Sequence, residues 1–263
     1  MAFTISEFVQ ILGLFVAINS FIFTIFAFLK LKEKQTKLSL YYCLFCGSVL
    51  FLVLCQLVRL MIFEVFKTYN TLYRVVTLFL LLIEILQILS LFVMANSFFF
   101  KWSTRAEWLL LSYYGALLIL VSIGIFNNFG WVILEHLNFL ELDVLFIVLF
   151  RTLPAFLLLY MGIRFYLEAK KIQLSEKLED KRALQLIGAG YLLYSGVATR
   201  VPQILGMSLG LTSDILMMLF STVGLAACGT FLFLYVGFYK PQWFKKAYRE
   251  TSWIVKQFNI DAK

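Results

Sequence analysis

Long apolar runs separated by short polar connections dominate this chain. They cover approximately residues 8–30, 40–63, 75–100, 108–127, 144–167, 184–208 and 212–239. About 20 predominantly apolar residues suffice to cross the hydrocarbon core of a bilayer as a helix, and each run meets that length. Strict alternation of apolar and polar positions, the mark of a membrane β-barrel strand, is missing. The pattern predicts an all-α, polytopic membrane protein: a seven-transmembrane-helix bundle over residues 1–240, followed by a tail over 241–263. The runs leave no stretch for a soluble domain. MAFTISEF at the start has no basic region ahead of its apolar run, so the first helix is expected to be retained rather than cleaved as a signal peptide.

Charge orients this bundle. Connections 30–39, 101–107, 164–183 and 240–263 hold 18 of the 23 Lys and Arg residues, whereas the alternate connections hold only Lys67 and Arg74. Basic loops stay on the cytoplasmic side. The N-terminus is therefore expected outside and the C-terminus in the cytoplasm, as an odd number of spans requires. The net charge of +8 is thereby explained by topology, and nothing in the sequence calls for a nucleic-acid partner.

The three remaining cations, Arg59, Arg151 and Arg200, sit inside apolar runs, and Glu84 is the one acid embedded comparably. A charge in the hydrocarbon costs a few kcal/mol even on the mildest insertion scale, so such residues face a bundle interior, a partner or a ligand. With alternate helices running in opposite directions, Arg151, Arg200 and Glu84 all fall roughly 10–13 Å below the outer boundary at 1.5 Å per residue. Arg59 lies shallower, with Gln56 one turn deeper, and Asp214 opens the seventh run. Gln87 shares a helix face with Glu84, as positions three apart do. RTLP at 151–154 and RVPQ at 200–203 place a proline within three residues of each deeper arginine. A proline inside a helix frees a carbonyl, for which Gln203 and the arginines are candidate partners. The inner half reads as nearly free of polar groups.

Two arrangements fit this layer. In one, Glu84 pairs with an arginine and the other cations reach Glu64, Asp214, Glu135 or Asp143 in a closed structural network. In the other, Arg151 and Arg200 converge on an anion whose carboxylate or phosphate oxygens suit the guanidinium fork, with Glu84, Gln87, Arg59 and Gln203 completing the pocket. The leading expectation is a sensor or receptor-like protein of the cell membrane that binds a small anionic or amphiphilic ligand from the outer side. It would signal through a cytoplasmic or membrane protein partner. A small-solute transporter or permease, and a non-catalytic subunit of a larger membrane complex, are the alternatives.

Enzyme signatures are lacking. The sequence has one histidine, His136, and no GxSxG, HExxH, Walker A or GxGxxG element, so neither catalysis nor a metal or cofactor is expected. Cys43 and Cys46 form a single CxxC inside a predicted span, where thiols behave as small apolar packing residues.

Other features concern packing and edges. Residues 127–143 mix apolar and acidic positions and suit a short helix at the outer interface. Residues 168–183 interleave acids and bases at helical spacing, which extends the fifth and sixth helices into the cytoplasm. Gly188, Gly190, Gly196, Gly224 and Gly229, with neighbouring Ala and Ser, predict close packing of the sixth helix on the seventh. After Pro241, the residues Phe244, Tyr248, Trp253, Ile254 and Phe258 share one helical side while Lys245, Lys246 and Arg249 cover another. Such a tail predicts an interfacial amphipathic helix on the lipid bilayer.

Known seven-helix proteins share the layout but not the residues. Residues 212–239 contain no lysine for a retinal, and the third run ends NSFFFKW without an acid-Arg-Tyr element. Pro202-Gln203 has no matching pair in the first half of the chain. In architecture alone, the layout resembles the seven-helix input modules of some bacterial and archaeal sensors.

Overall fold

The computed structural model describes residues 5–33, 35–66, 71–99, 105, 108–109, 111–116, 119, 153–172, 178–199 and 213–248. Six long helices account for most of them: α1 (Ile5–Glu33), α2 (Lys37–Phe66), α3 (Thr71–Phe99), α4 (Leu153–Lys171), α5 (Leu178–Thr199) and α6 (Ser213–Tyr239). Among the described residues there is no strand. Each helix contains or overlaps one predicted apolar run. The fourth run, 108–127, is helical at 111–116, and its remainder lies largely outside the described residues, as does the whole segment 127–143. Three stretches, Leu14–Glu33, Lys37–Cys55 and Leu82–Phe99, are long and apolar enough to cross a membrane, and Leu225–Tyr239 is a shorter apolar helix. Hydrocarbon offers backbone groups no water, so a chain this apolar satisfies them within each helix. The molecule is a helical membrane protein.

Helix ends follow local chemistry. Thr36 caps α2, its Oγ1 accepting the Ser39 N–H at 3.2 Å and lying 2.9 Å from the Ser39 hydroxyl. The predicted extension of the fifth and sixth runs is present as helix: α4 continues to Lys171, and α5 starts at Leu178 with Glu179 and Asp180 in its first turn. Acids there complement the positive end of the helix dipole. Pro154 occupies the second position of α4, where a missing N–H removes no intrahelical bond, so no kink is required at it.

The chain divides into two compact units. In the first, α2 packs against both α1 and α3. Burial rises from 17% of the apolar stretch of α1 through 33% in α2 to 56% in α3, which makes α3 the innermost of these helices. α1 buries a narrow edge at Val16, Ser20 and Ala27 and turns Phe15, Ile18, Phe21 and Phe26 outward. That outward face suits lipid.

In the second unit, α5 is held between α4 and the C-terminal part of α6 by glycine. A Cβ added at Gly188 would stand 2.9 Å from the Gly162 carbonyl oxygen, and one at Gly162 would stand 3.0 Å from the Gly188 oxygen. The two backbones therefore meet at these residues. On the other side of α5, a Cβ at Gly190 would reach Leu234 at 3.1 Å, and one at Gly237 would lie 2.9 Å from the Ala183 oxygen. The Thr230 hydroxyl lies 3.0 Å from the Ala226 carbonyl and 3.4 Å from the Gly190 carbonyl of α5, its one proton serving either. The predicted contact of the sixth run with the seventh is present. Gly162, which no sequence pattern singled out, adds the α4 contact.

α6 stops at Lys240, which adopts a left-handed φ of 43° and donates its N–H to the Val236 carbonyl at 3.0 Å. Its ammonium pairs with Asp180 in the first turn of α5. Beyond Pro241 a short helix, 242–248, folds back so that Phe244 is buried with Ala183 and Val236, and Tyr248 packs at the edge of that cluster. The sequence reading turned both rings toward the leaflet. The structure gives Phe244 a protein environment instead.

Gly188→Ala is expected to lower the melting temperature of the detergent-solubilised protein, since overpacking costs about 1–3 kcal/mol. Gly196→Ala, where an added Cβ meets nothing within 4 Å, should leave it unchanged or raise it slightly, as Ala favours helix by roughly 1 kcal/mol. Equal responses from the two would show that the Gly162 and Gly188 backbones are not in close contact.

Candidate functional site

Among the described residues of the first unit, α3 brings an acid and an amide together. Glu84 and Gln87 lie one turn apart on one face; Glu84 is partly buried, and Gln87 is only 5% exposed. Burial makes such an amide costly wherever its hydrogen bonds are not met, at about 1–3 kcal/mol for an unsatisfied polar atom. Glu84, the less buried of the two, contributes the carboxylate of this face. Of the residues predicted to form the site, these two are brought together. Arg151, Arg200 and Gln203 lie outside the described residues, as does the side chain of Arg59.

The backbone of Arg59 can be placed along its helix. Thr36, Lys37 and Leu38 at the start of α2 share a surface cleft of about 420 Å³ with Ser97 and Phe98 at the end of α3, so the two helices run antiparallel. Counted from that common end, Arg59 on α2 stands roughly 33 Å along the axis and Glu84 on α3 roughly 22 Å, at 1.5 Å per residue. Arg59 is thus about two turns nearer the α2–α3 connection than Glu84.

Polar residues also continue past Gln87 toward the cleft. Ser39 and Ser48 of α2, and Ser90 and Asn96 of α3, are all buried, with Asn96 at 0% exposure. The cleft end of the α2–α3 pair therefore holds buried polar groups of its own. The serines lower their own cost by bonding within their helix: Ser48 donates to the Phe45 carbonyl at 2.7 Å and Ser90 to the Leu86 carbonyl at 2.7 Å. Such back-bonding lets a hydroxyl sit in an apolar helix without an interhelical partner. Asn96 lies in the run 75–100, where a neutral amide is a weaker sign of a polar contact than a charge.

The remaining candidates do not build a site. Cys43 is partly buried and Cys46 buried, both as free thiols. Among the described residues, no group of three or more His, Cys, Asp or Glu side chains could hold a metal ion. The arrangement on α3 offers hydrogen bonding and one carboxylate. These suit binding and orientation of a polar ligand. No protein family, curated protein or solved structure matches the chain.

Gln87→Leu is expected to destabilise the protein by about 1–3 kcal/mol, since a branched side chain must fit a buried site shaped around a linear amide. Ser90→Ala should change stability far less, because the hydroxyl bonds only the carbonyl of its own helix at Leu86. Thermal melting of the two variants side by side checks this. Similar losses for both would deny the amide a special place.

Proposed function

We propose that the chain is a seven-transmembrane-helix sensor of the cell membrane that binds a small anionic or amphiphilic molecule from the outer side and passes the signal to a protein partner. In this reading residues 1–240 form the membrane domain, with the N-terminus outside, and 241–263 form a cytoplasmic tail. The observation that carries it is the pairing of partly buried Glu84 with buried Gln87 on the innermost helix of the first unit. Arg151 and Arg200 fall at nearly the same depth by helix rise. Intramembrane ionisable residues mark binding or transport pathways by default.

The chemistry divides by residue. Two guanidinium forks bind a carboxylate or phosphate through paired, charge-assisted hydrogen bonds. Glu84 sets the geometry of the cations, and Gln87 supplies a fixed amide beside them. Two arginines against one carboxylate leave a net positive charge, which an anion neutralises on binding. Arg59 and Gln203 stand at the margin of the pocket. A ligand that binds one packing of the bundle more tightly than another favours that packing, and that differential affinity is the only means by which binding can shift a conformational equilibrium.

The ligand reading is tested with inorganic phosphate and dodecanoate as probes on the purified full chain. At least one probe should raise the melting temperature, and Arg151→Gln and Arg200→Gln should each abolish the rise. A site saturated at a hundredfold its Kd adds about 2.7 kcal/mol of stability. Unchanged responses in folded variants would remove both arginines from the site.

The topology is tested separately. In a background with Cys43, Cys46, Cys55 and Cys228 replaced by Ala, an impermeant maleimide on intact cells should label Asn138→Cys and not Ser175→Cys. Labelling of both or of Ser175→Cys alone would overturn the orientation.

A further inference from the structure

The short helix 242–248 has two unlike sides. Phe244, 3% exposed, anchors it on Ala183 and Val236, with Tyr248 stacked edge-on against Phe244 at 4.7 Å. The Lys240–Asp180 pair fixes the turn that leads into it. The side turned away from the protein holds Gln242, Trp243, Lys245 and Lys246, all exposed. At 100° per residue, Lys246 lies nearly opposite Phe244, with Trp243 and Lys245 on either flank. Residues 240–248 contain no acid.

Trp243 decides what this outward side meets. Its ring is 60% exposed, directly after the apolar stretch Leu225–Tyr239 of α6. A large amphipathic ring where an apolar helix leaves the bilayer sits at the headgroup level, where Trp is enriched. Cations beside it face lipid phosphate rather than hydrocarbon. The docked face excludes the alternative in which the whole aromatic side of the tail enters the leaflet, because Phe244 is already covered by protein.

We propose that Trp243, Lys245 and Lys246 form a binding surface for anionic phospholipid headgroups, held rigidly at the end of α5 and α6 by Phe244 and the Lys240–Asp180 pair. Trp243 rests among the headgroups, and the two ammonium groups engage lipid phosphates. Because the helix is anchored to both α5 and α6, lipid bound there clamps the ends of these two helices together. The surface is independent of the outer-side ligand reading. It requires only that α6 reach the bilayer surface near Tyr239.

The full chain is reconstituted in vesicles of phosphatidylcholine and phosphatidylglycerol, with bromine on the acyl chains of one lipid or the other at equal mole fraction. Subtracting the emission of the Trp243→Phe variant isolates the Trp243 ring. Its fluorescence should be quenched by both lipids, with a local preference for the phosphatidylglycerol of up to roughly fivefold per lysine, the equivalent of about 1 kcal/mol for each cation near an anionic surface. Lys245→Gln combined with Lys246→Gln should equalise the two lipids while quenching persists. Absence of quenching by either lipid, equal quenching in the unaltered chain, or a preference that survives the double substitution would each overturn the proposal.

Discussion

Lipid removes the hydrophobic effect as a force between helices, since hydrocarbon chains are as apolar as the side chains they surround. What remains is close contact of backbones, interhelical polar bonds and the shape of side-chain surfaces. Both units of this protein follow from that constraint in different ways. The second uses glycine: α5 meets α4 at Gly162 and Gly188, and meets α6 through Gly190 and Gly237. Close approach multiplies dispersion contacts, each worth only about 0.1–0.2 kcal/mol. It also brings the Thr230 hydroxyl within reach of a carbonyl on the neighbouring helix. At the described glycines of the first unit, Gly47 and Gly115, an added Cβ meets nothing within 4 Å, and its described core is made of bulk and buried polar groups on α2 and α3 instead.

This difference bears on where function can reside. A helix seam closed by backbone contact has no room for a ligand, and each glycine there has its Cβ position occupied by a neighbour. The polar residues of α3 sit instead among larger side chains, including the buried Ile88, Leu91 and Met94. Side chains of that kind can repack around a guest. The candidate site therefore belongs with Glu84 and Gln87, and the glycine seam is support.

Much of the fold was legible because the bilayer imposes a length and a composition on every span. Apolar runs located the helices, and the helix period placed Glu84 and Gln87 on one face. Small residues in the sixth and seventh runs announced their contact. Gly162 was missed because a lone glycine gives no pattern; its meaning comes from Gly188, 26 positions later, which only packing brings opposite. Phe244 was misassigned for a related reason. A helical wheel separates aromatic from basic sides, but it cannot say whether the aromatic side meets lipid or protein. That choice depends on the turn at Lys240, whose left-handed φ no residue type there foretold. Asn96 gave a weaker signal than Glu84, since a neutral amide carries the same obligation to be satisfied as a charge, at smaller cost.

The turn at Lys240 is also where local strain and tertiary contact meet. A left-handed residue with a side chain costs roughly 1–2 kcal/mol relative to the ordinary helical conformation, and glycine is the usual occupant of such a helix end. A glycine would relieve the backbone but give no cation for Asp180. Lysine therefore makes sense only if the ion pair and the docked Phe244 together offset the strain. The pair alone is partly exposed and contributes at most about 1 kcal/mol, so the buried ring must supply much of the remainder. Burial of an aromatic side chain is worth about 1.5–3 kcal/mol, enough to hold the segment. The end of α6 is accordingly specified by a residue four positions beyond the turn.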